Sequence, residues 1–223
     1  MIKLSDLGAG AEPALHGHEG DGLPHIGVLG LPDVRLPGIE NPNAGGHLLG
    51  VAVAIPRMEE RSPRLEQALR TLSRVEAGPF GILSLKSLSP LDALTESTFG
   101  LRPYRWTREA RRWVSALPIV LDRYPKGSTT VERAIEVSFE HAGYQTPRVV
   151  RASKFPLIAG SPGLSPRHTK RSPDAQMRPY RYAEVEFAAS QRGPVVAGAM
   201  RYFGLGLFVP IPDPTAIEDS DEQ

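Results

Sequence analysis

The sequence predicts an α+β fold with antiparallel sheets, and three observations carry that prediction. Apolar runs with the character of short strands recur along the chain, interrupted by two segments with helical spacing and clear capping residues. Glycine and proline each number 22 in 223 residues, about a fifth of the chain, which calls for brief elements joined by many turns. A glycine-rich stretch, Gly198 to Phe208, precedes a last apolar run.

HIGVLGL (His25 to Leu31) and HLLGVAVAI (His47 to Ile55) read as strands on either side of a Pro/Gly/Asn loop, and the unbroken second run suits an interior strand. A helix follows, with Ser62 as N-cap and Pro63 at the first helical position. Leu65, Ala68, Leu69, Leu72 and Val75 form its apolar face, and Gly78-Pro79 ends it. FGILSLK (Phe80 to Lys86) reads as a strand, and residues 87–107 as a loop. A strand near Trp113 to Leu121 comes next, then a helix opened by the capping box Thr129-x-x-Glu132 and closed at Gly143. Strands at Arg148 to Lys154 and Tyr180 to Phe187 flank a Pro/Ser/Arg-rich loop, and the glycine-rich stretch leads into the final strand.

The order is ββαβ in the first half and βαββ, glycine segment, β in the second. Each approximates a ferredoxin-like (RRM-like) β-α-β-β-α-β unit, with the first half lacking its opening βα pair. The expected division is a flexible segment over 1–24, an incomplete first half over 25–100, a second half over 101–211 with the glycine-rich loop, and an acidic tail over 212–223.

Cysteine is absent, which excludes a disulfide framework and a thiolate zinc site and favours a reducing compartment. With a single Lys3 and no apolar core near the start, no signal peptide is expected, and no run approaches 18 apolar residues. A cytoplasmic protein with no membrane partner is expected.

Charge is unevenly placed. The net charge of +1 divides into −4 over residues 1–99, +10 over 100–201 and −5 over 202–223. In the basic middle, Arg102, Arg105, Arg108, Arg111, Arg112, Arg123, Arg178 and Arg181 are interleaved with Tyr104, Trp106, Trp113, Tyr124, Tyr180 and Tyr182. That mixture holds looped or single-stranded RNA by phosphate contact and stacking, while core aromatics with solvated arginines give the same composition.

Three segments carry candidate chemistry. In GAMRYFGLGLF, Gly198, Gly204 and Gly206 admit close approach of a polyanion to backbone N–H groups while Arg201 meets a phosphate; a glycine bend between strands uses the same residues. Asp122-Arg123-Tyr124-Pro125-Lys126 precedes a helix N-terminus, so Lys126 is placed to neutralise a phosphate; a turn with Asp122 and Arg123 paired to each other or to neighbours uses the same residues. The loop SPRHTKR supplies His168, Lys170 and Arg171 as RNA contacts. Of the other histidines, His141 ends a helix and His25 and His47 open strands. His16 and His18 lie in HGHEGDG, whose alternate His16, His18, Glu19 and Asp21 match no closed metal pattern, so no metal and no cofactor are expected.

The glycine segment, Arg192-Gly193-Pro194 before it, and the run Trp113 to Lys126 together resemble the RAMP superfamily of CRISPR-associated RNA-binding proteins. Gly17-His18, His25 and His47-Leu48-Leu49-Gly50 fit in the same order, so the resemblance spans about residues 15–211. It is nearest to the C-terminal, repeat-processing part of the fused backbone-and-endoribonuclease subunit of type I-G (formerly I-U) systems. Met200 stands where the family pattern has glycine, and the upstream, 5′-handle-binding half of those fused subunits has no counterpart in this sequence.

The resemblance implies metal-independent endoribonuclease cleavage of CRISPR repeat RNA, by attack of a ribose 2′-OH on the adjacent phosphate to leave a 2′,3′-cyclic phosphate. It also implies that the subunit stays on the guide RNA within a type I CRISPR effector complex. A base and an acid are then required; His18 is the first candidate, His16 the second, with Lys126 on the phosphate. A non-catalytic crRNA-binding subunit of the same complex is the alternative. A protein-interaction module without RNA binding, suggested by the acidic tail, is a third.

Overall fold

The computed structural model describes residues 27–36, 45–55, 67, 69–70, 73–76, 82–96, 98–170 and 176–212. It is a mixed fold of antiparallel sheets with few helices.

The main sheet is built from the second half of the chain: β5 (Glu109–Ser115), β6 (Ile119–Val120), β7 (Arg148–Ser153), β8 (Tyr180–Arg192), β9 (Val195–Val196) and β10 (Leu207–Ile211). β8 is its spine. Its first two residues pair with β6, Tyr182 to Glu186 with β7 on one edge, and Glu184 to Arg192 with β5 on the other. β10 lies between β5 and β9, so the strands run β7-β8-β5-β10-β9, all antiparallel.

Helix α3 (Val131–His141) covers one face. Thr130 is its N-cap and accepts from the Arg133 N–H at 3.1 Å, one residue later than the Thr129 box the sequence suggests, because Thr129 donates its own N–H to the Lys126 carbonyl in the preceding turn. Its C-terminus turns at Gly143 with φ +84, as expected. Ala134, Ile135, Ser138 and Phe139 face inward against Trp113, Val185, Phe187 and Phe208. The Phe139 ring meets Phe208 and Phe187 edge-on at 5.1 and 5.6 Å.

The opposite face is covered by a two-stranded ribbon, β1 (Gly27–Pro32) and β2 (Leu48–Ala54). Strand alternation explains the sandwich: Phe208 points to α3, while its neighbours Leu207 and Val209 join Val114, Leu29 and Leu31 in a second cluster on the ribbon side. β2 pairs only with β1 among the described strands. Its apolar run reflects face-to-face packing on the larger sheet rather than an interior place within one.

The rest of the first half agrees with expectation in part, with β4 (Ile82–Ser84) inside the run Phe80 to Lys86. Gln67, Leu69 and Arg70 are helical, whereas the N-cap Ser62 and the apolar positions Leu65, Ala68 and Leu72 lie outside the described residues. Val75, placed by its spacing on that helix, instead belongs to β3 (Arg74–Glu76), which pairs with β4 (Ile82–Ser84).

The expected loop over 87–107 contains α1 (Pro90–Thr95), a 3₁₀ turn at Phe99–Leu101 and α2 (Tyr104–Thr107). Ser89 caps α1 by accepting from the Asp92 N–H at 3.1 Å, with Pro90 at its first position.

Candidate nucleic-acid interface

Several segments that the sequence singles out meet around β6. The glycine segment is tied to that strand by the Ala199 N–H, which donates to the Val120 carbonyl at 2.9 Å. On leaving β6 the chain is held twice: the Leu121 N–H donates to Pro179 at 2.9 Å, and the buried Ser138 hydroxyl accepts from the Asp122 N–H at 3.2 Å. Arg178 then links the basic loop to the same place. Its N–H donates to the Thr169 hydroxyl at 2.9 Å and its guanidinium to the Asp122 carbonyl at 3.4 Å. The seat beneath is a small apolar cluster of Val120, Ala199 and Met200 with Leu164, Tyr180 and Leu205.

Arg123, Lys126, His168, Lys170, Arg178 and Arg201 lie on the segments that these contacts join. Among the described residues no carboxylate lies within 4.0 Å of Arg123, Lys126, His168, Arg178 or Arg201. His168 is exposed in the 3₁₀ turn Pro166–Thr169. The Lys126 ammonium sits 5.7 Å from the centre of the Tyr124 ring, which is 46% exposed and whose hydroxyl donates to the Met177 carbonyl.

Arg111 and Arg112 occupy a different setting, on β5. Arg112 and Arg151 both pair with the buried Glu184, the latter at 3.4 Å, and Arg111 lies 3.9 Å from Glu186 while donating to the Phe187 carbonyl. Their charge is already answered by carboxylates across the sheet.

The glycines are explained by the protein's own backbone. Gly198, Gly204 and Gly206 have φ of +102, +83 and +72. A Cβ on Gly198 would stand 2.5 Å from the Val120 carbonyl oxygen, on Gly204 2.7 Å from that of Val28, and on Gly206 1.8 Å from that of Ala197. The amides of Ala197, Ala199, Arg201, Phe203, Leu205 and Gly206 all donate to carbonyls within the fold. Arg201 stacks over Tyr202 at 4.6 Å and donates to the Gly198 carbonyl at 3.1 Å. Met200 is buried as part of the apolar seat, so a side chain rather than glycine is needed there to fill it.

The aromatic residues divide. Trp106, Trp113 and Tyr182 are core residues; Trp113 donates to the Ala110 carbonyl at 2.9 Å and the Tyr182 hydroxyl to Pro162 at 2.6 Å. Burial pushes the Tyr182 phenol up to about 12. Tyr124 and Tyr104 are exposed. Phe203, 47% exposed beside Arg201, belongs to the surface although nothing in its sequence context separates it from a core phenylalanine.

His16, His18, His25 and Arg171 lie outside the described residues, as does the HGHEGDG string. His47 is exposed just before β2, and His141 ends α3 with Nδ1 3.9 Å from Asp122, so Asp122 is drawn to the helix rather than to Arg123. Among the described residues no three His, Asp or Glu side chains form a metal-binding group, and no helix is long and apolar enough to cross a membrane.

Compared with protein-family models, curated proteins and solved structures, the chain matches none.

Proposed function

We propose that the protein binds CRISPR repeat RNA at the β6 surface, cleaves it without a metal, and remains on the guide RNA as a cytoplasmic subunit of a type I effector complex. The observation that carries this reading is that Arg123, Lys126, His168, Arg178 and Arg201, on segments joined at β6, have no carboxylate partner among the described residues. An ion-paired arginine such as Arg112 has its charge satisfied internally, whereas this group leaves positive charge for a polyanion. The order β7-β8-β5-β10, with α3 on one face, supports treating residues 109–211 as one ferredoxin-like unit. In it the glycine segment stands where a second helix would run.

The chemistry asks the base to take the proton of a ribose 2′-OH as O2′ bonds to phosphorus. The bond from phosphorus to O5′ breaks and the leaving oxygen takes a proton from the acid, giving a 2′,3′-cyclic phosphate and a 5′-OH. His18 serves as base with His16 as the second candidate, and Lys126 offsets charge on the phosphorane. The chain that carries both histidines enters β1 at Gly27, where a Cβ would lie 3.7 Å from the Arg201 carbonyl oxygen. Gly27 is nine positions beyond His18, a reach of up to roughly 30 Å.

Labelled repeat RNA incubated with the protein, with and without EDTA, tests the proposal. Chelator-resistant cleavage is expected in the wild type, slowed roughly 10²–10⁴-fold in His18→Ala with affinity little changed. Full activity in His18→Ala, His16→Ala and Lys126→Ala alike, or an EDTA-sensitive wild type, would remove this mechanism. A non-catalytic crRNA-binding subunit is the second reading. It asks only for the cations and exposed rings of the surface, with no base from the N-terminal segment, and binding without cleavage would establish it.

A further inference from the structure

Two exposed aromatic rings, Phe203 and Tyr124, lie on the segments joined at β6, and their presentation bears on which form of RNA the protein accepts. Phe203 closes the 3₁₀ turn Arg201–Phe203 and is 47% exposed. The turn beneath it is pinned: the Arg201 N–H donates to Gly198 at 3.2 Å, and the N–H groups of Phe203 and Leu205 both donate to Met200, at 3.0 and 3.3 Å. Gly204 packs against the Val28 carbonyl, and Ala199 and Met200 are buried below. A large apolar ring is therefore held out toward solvent by a rigid base, next to a guanidinium already stacked on Tyr202. Tyr124, on the chain leaving β6, is also exposed, with its hydroxyl fixed to Met177 and Lys126 beside its ring.

We propose that Phe203 is a stacking platform for an unpaired base, so that RNA lies on this surface as a single strand. The inference rests on the RNA-binding reading above and adds to it. In an A-form duplex the base faces are stacked on one another and present only edges and backbone, so an exposed ring gains nothing from a helix beyond incidental contact. An unpaired base offers a whole face, and cations at Arg123, Lys126 and Arg178 are placed for the phosphates that run beside it. A protein partner would call for a contiguous apolar patch. Here the ring shares its short turn with Arg201, which favours a polyanion with planar bases.

The test compares a single-stranded repeat RNA carrying 2-aminopurine at successive positions with a short blunt RNA duplex, against wild type, Phe203→Ala and Phe203→Tyr. Wild type is expected to quench 2-aminopurine at one or two positions. Phe203→Ala should lose that quench and bind the single strand roughly five- to a hundredfold more weakly, with duplex affinity unchanged, and Phe203→Tyr should restore both. Absence of quenching at every position in the wild type, or unchanged single-strand affinity in Phe203→Ala, overturns the inference while RNA binding stands. An equal loss on both RNA forms together with a lowered melting temperature assigns Phe203 a packing role and also overturns it. If wild type binds neither RNA, the function itself falls, and binding of an acidic protein instead would make the ring a protein-docking residue.

Discussion

Replacing Gly206 by alanine separates two uses of the glycine segment, one in folding and one in ligand contact. Gly206 has φ +72, where an alanine costs about 1–2 kcal/mol in backbone conformation alone. Its Cβ would stand 1.8 Å from the Ala197 carbonyl oxygen, a backbone atom that is free to move only if the chain moves with it. The displacement breaks two bonds, the Gly206 N–H to Pro118 at 2.9 Å and the Ala197 N–H to Gly206 at 3.0 Å, each worth roughly 0.5–1.5 kcal/mol net. The sum is about 2–5 kcal/mol, a large part of the ~5–15 kcal/mol that stabilises a domain. Gly127 supplies the control: its φ is +62 and nothing lies within 4 Å of its Cβ position, so Gly127→Ala carries the conformational cost without the collision. Urea unfolding followed by far-ultraviolet circular dichroism should show a far larger loss at position 206 than at 127. Equal losses at the two sites, or RNA binding lost at 206 with stability intact, would refute the packing argument and return Gly206 to direct ligand contact.

Thr130→Ala should cost about 1 kcal/mol in the same assay through loss of the α3 cap, whereas Thr129→Ala should cost little. Arg123→Ala and Lys126→Ala should each weaken RNA binding across sequences and lower the slope of log affinity against log salt by roughly 0.7–0.9, while Arg112→Ala should chiefly affect stability through Glu184. Tyr182 binds its proton more tightly in the folded chain than in the unfolded one, so its contribution to stability is complete below pH 10 and is lost as pH rises through about 12. Tyr182→Phe should flatten that alkaline fall in melting temperature.

The second half of the fold is legible residue by residue because its signals are local and mutually consistent. Val131 to His141 has a cap at one end, glycine at the other and one apolar face, and the strands opening at Arg148 and Tyr180 start where their apolar spacing puts them, whereas the run Trp113 to Leu121, read as one strand, divides into β5 and β6. The first half is less so. Ser89-Pro90 is the same cap-plus-proline signal as Ser62-Pro63, yet the helix it opens spans only Pro90–Thr95, too short for its apolar spacing to declare it. The ribbon's place on the main sheet depends on pairing partners far away in sequence, which periodicity does not encode. The basic bias over 100–201 marks the right part of the chain, but it does not tell Arg112, matched to Glu184, from Arg123, matched to no carboxylate among the described residues. That distinction comes from cross-strand register. Phe203 was missed for a related reason, since one exposed ring among buried ones is visible only once the turn is built.

The ribbon has a consequence for the order in which the molecule is completed. Leu29 and Leu31, from the first described strand, share an apolar cluster with Leu207 and Val209 from the last. During synthesis β1 and β2 therefore emerge with their apolar face uncovered, and their seat does not exist until β10 has slotted between β5 and β9. Contacts that span nearly the whole described chain raise the entropy cost of closure and slow folding. The ribbon waits longest of the described elements, so conditions that retard the C-terminal strands should show first as association through β1 and β2.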